Sequence, residues 1–517
     1  MTEAADEAHA PNLARETGRG GLAVAAAKAY FILMGVVQQF ALPLALGLDG
    51  YGALASALSL ASIAYNPITT SSIQGVSRAV AGVPEARVPA VLRRTLVMHA
   101  LAGLVCATLF FVAAPFAARA MGAPHISNML RILSAVLLLY GVYTPLIGAL
   151  NGRRRFVRQA GFDIAAATLR TAGVVAGAAF VARQAASSIE SAEGSCYGFV
   201  IAASLVLGGA LWVVGVGKPG PGAPSVASHA LFLVPLLFGQ LLQNLLFQSD
   251  LTLIRRFAAE AALAANLPVT AADSYVGAYR ATQLFSFLPF QLLTAVTFVL
   301  FPVLASAREG RDKDRLGGYV ETGLRVALLV AGALVSVSSG LADPLLRLVF
   351  GSQAAEHAAG ALEVLALGFG AFAVFGLLTA VLNGLGRERT SLVITLGAFS
   401  AVVVLGFGWV RGAPLSEALL VRTALATSAG LLLATALAGW LVHRAVGALV
   451  RPLVLVRVGL ATALAIALGR ALPSGSRLLV LPEAALVLLA YLAILLGSRE
   501  LGRADLELVR RVLKGRA

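Results

Sequence analysis

Fourteen apolar stretches, nearly all long enough to cross the hydrocarbon core of a bilayer, follow one another along this chain. They run over residues 21–47, 52–77, 95–117, 132–150, 160–182, 196–216, 229–250, 279–304, 324–342, 362–382, 390–410, 421–442, 455–469 and 478–497. A membrane-spanning helix uses about 20 such residues. Buried helices of a soluble protein would need polar faces, and few of these stretches carry one. Only 13% of the residues are charged and the mean hydropathy is +0.86, against about 25% charged in soluble domains. The loops left between the stretches are too short for a separate catalytic domain. The sequence predicts an all-α polytopic membrane protein.

The charges test this layout independently. A formal charge of +15 would point a soluble protein towards nucleic acid; here it reports topology, because Lys and Arg gather in cytoplasmic loops. With the N-terminus inside, and with Arg280, Arg325, Arg422 and Arg457 at span ends counted with the loops they adjoin, 27 Lys or Arg fall on the inner side and 11 on the outer; Lys28 and Arg170, deeper within spans, complete the 40. The densest inner clusters are Arg153, Arg154, Arg155 and Arg158, and Arg308, Arg311, Lys313 and Arg315. Moving the count by one span would put both outside. Both termini are therefore expected in the cytoplasm. The start is acidic and polar (Glu3, Asp6, Glu7), unlike a cleaved signal, so the first span is expected to remain in the protein.

One loop stands apart. Residues 217–228 include Gly-Lys-Pro-Gly-Pro-Gly-Ala-Pro-Ser, a composition that suits a flexible linker, here on the cytoplasmic side. It separates two groups of six spans. Span four ends Leu150-Asn151-Gly152 and span ten ends Leu382-Asn383-Gly384; Pro115 closes span three and Pro344 closes span nine. Six spans per copy is an even number, so the repeat is parallel, with its pseudo-axis along the membrane normal. The expected organisation is a cytoplasmic segment 1–20, a first six-helix lobe 21–216, the linker 217–228, a second lobe 229–442, two added helices 443–497 and a basic cytoplasmic tail 498–517. The tail pairs Leu501, Leu506, Val509, Val512 and Leu513 with six basic residues, the pattern of a helix lying on an anionic membrane surface. Two similar bundles facing each other suit a transporter.

Ionisable groups within spans cost several kcal/mol unless they face protein or water. Lys28 lies in span one, with Gln38 and Gln39 deeper; Asp163 and Arg170, seven residues apart, share one face of span five, where Asp163 can neutralise Arg170. Span seven carries a stripe of Gln240, Gln243, Asn244 and Gln248, followed by Asp250. Arg280 opens span eight and Arg325 opens span nine. Cations outnumber anions in this set, so a cleft lined by it would attract an anion, and apolar walls would suit an amphiphilic one. The competing reading is structural: Lys28 reaches the inner interface, Arg280 and Arg325 sit among headgroups, and the amides bridge helices. Pro67, flanked by Asn66 and by Thr69 to Ser72, and Pro289 in the second group are the hinge candidates; fixed kinks explain them equally. Gly173 and Gly177 permit close approach to span five.

Several chemistries are not encoded. Gly215-Val216-Gly217-Lys218 lacks the following Ser or Thr and the upstream spacing of a phosphate loop. The six histidines have no paired ligand spacing for a metal. Cys106 and Cys196 read as small buried hydrophobes rather than a disulfide or metal pair. No nucleophile–base pair emerges, so neither an enzyme nor a cofactor is expected.

Ordered short motifs run through the chain: Gly20-Gly21-Leu22, Leu46-Gly47 with Gly50-Tyr51-Gly52, Leu150-Asn151-Gly152-Arg153, Gln248-Ser249-Asp250, Tyr279-Arg280-Ala281, Phe301-Pro302, and Asn383-Gly384 with Arg387. In this set, from about residue 15 to 500, the sequence resembles the polysaccharide (Wzx-type) flippases of the multidrug/oligosaccharidyl-lipid/polysaccharide exporter superfamily. The resemblance implies two lobes that alternate between inward-open and outward-open states in the bacterial cytoplasmic membrane. It implies as substrate an undecaprenyl-pyrophosphate-linked oligosaccharide for cell-surface polysaccharide, with membrane lipids, a polymerase or glycosyltransferases as partners and no nucleic acid. The pyrophosphate would meet cleft cations and the isoprenoid would lie along an apolar groove. Lipid II flippases of the superfamily carry an Arg-rich span one, whereas here Lys28 stands alone past Arg19. Drug exporters carry acidic residues in span one that are absent here. The alternatives are a lipid II flippase for peptidoglycan synthesis, a drug or metabolite antiporter, and a non-transport scaffold in a polysaccharide-synthesis complex.

Overall fold

The structure is a computed structural model that describes residues 3–184, 187–221, 224–293, 313–473 and 478–502, with side chains described outside 3–22 and 313–316. Among the described residues fourteen α-helices form, and twelve of them are long and apolar enough to cross a membrane. The chain is a multi-pass membrane protein. Its first helix, α1 (Glu3–Ala81), holds the first two expected spans, and Gly47 (φ 65°, ψ 178°) interrupts it between them. That backbone is open to glycine and strained for other residues, which is why Leu46-Gly47 marks the exit of span one. The next five expected spans appear in order as α2 (Val88–Ala120), α3 (Ser127–Gly152), α4 (Phe156–Ala182), α5 (Ser188–Val214) and α6 (Val226–Ala264).

Span eight begins earlier than its hydropathy suggests, with α7 (Ala272–Ser286) and a further turn at 288–293. Its end, with Phe301-Pro302 and the cluster from Arg308 to Asp312, lies outside the described residues, as does the tail from residue 503. The remaining helices are α8 (Lys313–Gly340), a short α9 (Ala342–Phe350), α10 (Ser352–Gly384), α11 (Glu388–Trp409), α12 (Glu417–Val446), α13 (Pro452–Ala471) and α14 (Val480–Gly497). The prolines matched in the repeat differ in setting. Pro115 lies inside α2, whereas Pro344 lies in the first turn of α9, where a missing N–H costs little.

Two compact units form, one of residues 1–263 with 267–277 and one of 264–266 with 278–517. Packing therefore divides the chain inside α7 and not at 217–228. The cause is visible in the first unit: α6 and the start of α7 are held there by Asn66–Asn244, by an Arg255–Asp273 pair and by glycine contacts. The stretch expected to be flexible is docked as well. Lys218 N donates to Pro89 O at 3.1 Å, and Gly217 (φ 71°) lies so close to Pro89 O that a methyl group there would collide with it.

In the first unit α1 packs on α3 and α4, α2 on α3, and α4 on α5. The α4–α5 contact is backbone to backbone: a methyl at Gly173 would meet Gly198 O, and one at Gly177 would meet Gly194 O. Lipid tails are as apolar as leucine, so such close packing, and not burial from water, holds membrane helices together. In the second unit α10 packs on α12, α11 on α12 and α8 on α10, and α13 and α14 pack beside α8. The α3–α5, α4–α5 and α2–α3 contacts of the first unit thus recur as α10–α12, α11–α12 and α8–α10.

The repeat also reaches the atomic level. At the end of α3, Arg155 N donates to Leu150 O and Arg154 N to Asn151 O; at the end of α10, Arg387 N donates to Leu382 O and Gly386 N to Asn383 O. These are two copies of one helix-terminating turn with a left-handed residue, Arg154 (φ 56°) and Gly386 (φ 71°), at the same place. The Leu-Asn-Gly match is therefore structural. The other motif glycines have a packing role: Gly50 abuts Ser188 O and Gly52 abuts Asp273 O, bringing the starts of α5 and α7 against the kink in α1.

Candidate functional site

Lys28 and Arg170 are carried by α1 and α4, which pack on each other in the first unit. Tyr30 and Thr168 hydroxyls hydrogen-bond at 2.9 Å, and Thr171 Oγ1 donates to Met34 O at 3.3 Å. This registers the two helices. Lys28 Nζ lies 3.6 Å from Asp163 Oδ2, with Asp163 largely buried and Lys28 half exposed. Asp163 is thus the counterion of Lys28 and not of Arg170, although it shares a helix face with Arg170.

Arg170 instead lies over aromatic rings, its guanidinium carbon 5.0 Å from the centroid of Phe31 and 6.0 Å from that of Phe199. Its Nε is buried without a hydrogen-bond partner. Among the described residues no carboxylate pairs with it. Cation–π contacts at such distances contribute about 0.5–2 kcal/mol, short of what removing a cation from water costs. Arg170 is a half-buried cation whose charge is incompletely met. Gln38 adds a buried, unpaired Oε1 on the same helix as Lys28, while its neighbour Gln39 accepts from Tyr51 Oη.

The span-seven stripe divides. Asn244 is buried, accepts from Asn66 Nδ2 at 2.8 Å and donates to Gln240 O at 2.8 Å. It bridges α6 to α1 beside Pro67. Gln240, Gln243 and Gln248 are half-buried and form no side-chain hydrogen bonds among the described residues. Asp250 is 1% exposed and accepts from Leu251 N, which places it in packing and not on an open face. Around Pro67, Ser71 donates to Pro67 O and Thr69 to Tyr65 O, while Asn66 reaches across to Asn244. Side-chain bonds of this kind bend helices.

In the second unit, Arg280 donates to Gln283 Oε1 at 2.6 Å. Pro289 removes the bond to Phe285 O, and Ser338 Oγ from α8 approaches that carbonyl at 3.5 Å. Arg325 does not stand free: its Nε donates to Glu500 Oε1 at 2.8 Å, and Arg457 Nη1 donates to Glu500 Oε2 at 3.3 Å. This cluster clamps the chain after α14 to α8 and α13. An apolar groove of about 840 Å³ runs between α8, α10, α12 and α13, walled by Leu328, Val335, Leu367, Val374, Leu432 and Trp440. Its polar groups are largely spoken for, with Ser339 donating to Glu363 O, Thr435 to Ala371 O and Arg470 to Glu363 at 2.6 Å.

Other charges escaped the sequence reading. Arg255 and Asp273 are both fully buried, 3.6 Å apart, with His125 Nε2 3.0 Å from the other Asp273 oxygen. Glu85 pairs with Arg153 and Arg155, and burial together with the neighbouring Arg155 and Arg158 holds the Arg153 guanidinium below the usual arginine range. The only sequence signal for the first cluster is two opposite charges flanking one loop beside the Gly50–Gly52 motif. Cys196 is buried as expected, while Cys106 is only half-buried on α2.

Residues 44–359 match the family model for polysaccharide biosynthesis protein. No curated protein matches the chain. Among solved structures, the lipid II flippase MurJ in an inward closed conformation is similar with a TM-score of 0.74 at 12% identity, over 92% of this chain and 99% of that one. An inward-facing multidrug resistance MATE family transporter of the MOP superfamily gives 0.61 at 14% identity, over 80% and 95%. A MOP superfamily transporter from Pyrococcus furiosus, whose binding pocket is described as having reverse polarity, gives 0.54 at 15% identity, over 84% and 95%. The fold is that of these transporters.

Proposed function

From the chain's membership of the polysaccharide biosynthesis protein family, which residues 44–359 establish, we propose that it is a flippase and not an enzyme. It moves an undecaprenyl-pyrophosphate-linked oligosaccharide from the inner to the outer leaflet of a bacterial cytoplasmic membrane, by alternating access and for surface polysaccharide. The observation that carries this reading is Arg170, a cation within a span whose charge no described carboxylate meets. An arginine kept at membrane depth without a counterion suits an anionic ligand that arrives and leaves. Charge-assisted bonds from a guanidinium suit pyrophosphate oxygens. Lys28, half exposed beside Asp163, supplies a second cation that the ligand can draw from its carboxylate.

Gln240, Gln243 and Gln248 fit the sugar end. A half-buried amide without a protein partner needs water or ligand, because leaving it dry costs a few kcal/mol. Pro67 and Pro289 serve as bending points, each with hydroxyls able to hold carbonyls as the helix flexes. The basic ends of the helices, including Arg153 to Arg158, face the cytoplasm together with both termini. Polymerase or glycosyltransferase contacts would supply substrate at one face and receive it at the other.

The test is transport by purified variants in proteoliposomes. Arg170→Ala and Lys28→Ala are expected to lower flipping at least tenfold while leaving the melting temperature near wild type, and Arg170→Lys to recover part of it. Arg119→Ala, which loses only a bond to Pro115 O and contact with Phe116, is expected to change little. Near-normal flipping in both cleft variants would overturn the assignment. If the scaffold alternative were right, neither variant would affect polymer export.

A further inference from the structure

A second groove lies within the first unit, away from Lys28 and Arg170. It holds about 760 Å³ between the first half of α2, residues 219–220 and the first half of α6. We propose that it is a binding site for one anionic phospholipid of the surrounding bilayer, with the phosphate at Arg93 and Arg94 and one acyl chain lying along the apolar walls.

The charge is one-sided. Arg93 and Arg94 are exposed, line the groove and form no ion pair among the described residues. Lys218 adjoins them on the docked stretch, and neither 88–102 nor 215–237 contains an acidic residue. The depth also fits. Large exposed apolar side chains begin directly after Arg94, with Val97 (42%) and Leu101 (59%) on α2 and Val234 (60%) on α6. Side chains on a helix lean towards its N-terminus, so both arginines reach away from this belt towards the headgroup level.

The groove is built and not merely left over. Gly217 allows residues 217–220 to settle against Pro89 and close one end, where any other residue would meet Pro89 O. Deeper in the wall, His99 is 6% exposed and its Nδ1 donates to Thr95 O at 2.8 Å. That bond fixes the tautomer and leaves Nε2 an acceptor, buried and unpaired, against the edge of the His229 ring at 5.3 Å. Burying an acceptor without a partner is costly. A phospholipid brings its ester region to this depth, and water carried with those esters can donate to Nε2. A hydrocarbon chain alone would leave the nitrogen unmet.

The site does not depend on what the protein transports, so it can be tested without a flipping assay. The probe is phosphatidylglycerol carrying a diazirine on one acyl chain, at trace level in nanodiscs of phosphatidylcholine. After illumination, adducts are mapped on peptides covering 97–102 and 230–237. Wild type is expected to be labelled there, and an equally labelled phosphatidylcholine probe to give about tenfold less. Arg93→Gln with Arg94→Gln is expected to lower the phosphatidylglycerol signal about thirtyfold, the scale of two cations each contributing near an anionic lipid. Arg93→Lys with Arg94→Lys should keep most of it. Val234→Trp, which fills the groove and leaves the cations, should abolish labelling at 97–102 while size-exclusion behaviour stays that of wild type. Equal labelling by the two lipids, or labelling unchanged in the glutamine variant, would mean non-selective annular lipid and overturn the proposal. Displacement of the probe by equimolar undecaprenyl pyrophosphate would also overturn it, by assigning the groove to an isoprenoid.

Discussion

Replacing Asp273 with alanine removes the carboxylate that lies between Arg255 and His125. Arg255 and Asp273 are 0% exposed, so neither charge can turn to solvent when its partner is lost. At 3.6 Å two unit charges interact by about 5 kcal/mol at an effective dielectric constant near 20. Most of that offsets the cost of burying them. Removing one member leaves the other uncompensated, and buried pairs broken this way lose about 3–5 kcal/mol. Asp273→Ala is therefore expected to destabilise the first unit by about that amount. The double variant Arg255→Met with Asp273→Leu should recover only part of it. Arg255 Nη2 also donates to Gly122 O at 3.3 Å and to Val269 O at 3.2 Å, and unpaired buried acceptors cost about 1–3 kcal/mol each. Equilibrium unfolding in mixed micelles, followed by tryptophan fluorescence, measures both variants together with the single variants Arg255→Met and Asp273→Leu. A double variant less destabilised than the sum of the singles by about 2 kcal/mol or more would match the pair's coupling. An Asp273→Ala protein within about 1 kcal/mol of wild type would refute the idea that this cluster fastens α6 and α7 to the turn between α2 and α3.

The span-seven stripe separates packing from transport. Asn244→Leu should cost about 0.6–1.7 kcal/mol by losing Asn66, the range seen for interhelical bonds in membranes, whereas Gln243→Leu and Gln248→Leu should leave stability nearly unchanged and weaken transport of a long oligosaccharide more than of a single-sugar lipid. Equal transport losses for both headgroups would remove the amides from sugar recognition. For topology, single cysteines at Arg155 and Arg183, in a background lacking Cys106 and Cys196, are probed in intact cells with an impermeant thiol reagent. Labelling at 183 and not at 155 is expected; the reverse would invert the layout.

Hydropathy and turn chemistry carried most of the fold. The break between the first two spans was readable because Gly47 is where the backbone leaves the helical region. The repeat was readable because Asn151-Gly152 and Asn383-Gly384 terminate helices with the same bonds. What failed was the pairing of charges across helices. Asp163 and Arg170 share a face by spacing, yet α1 places Lys28 nearer to Asp163 and turns Phe31 towards Arg170. Arg325 was assigned by its depth alone, while its partner Glu500 lies 175 residues away. The linker looked loose by composition, because glycine and proline permit flexibility and close docking alike. Packing of α6 with the first unit likewise depends on Asn66, which the sequence marks only as a flank of Pro67, and on Asp273, which nothing in the sequence distinguishes.

The most direct test is reconstitution of the purified wild-type chain into liposomes with a fluorescent undecaprenyl-pyrophosphate oligosaccharide. Headgroup reaching the opposite leaflet is read by a membrane-impermeant quencher. Faster loss of fluorescence than in protein-free liposomes, slowed at least tenfold by Arg170→Ala, is the predicted result. Folded protein that leaves the labelled lipid in its original leaflet, or moves lipid II and not this substrate, would contradict it.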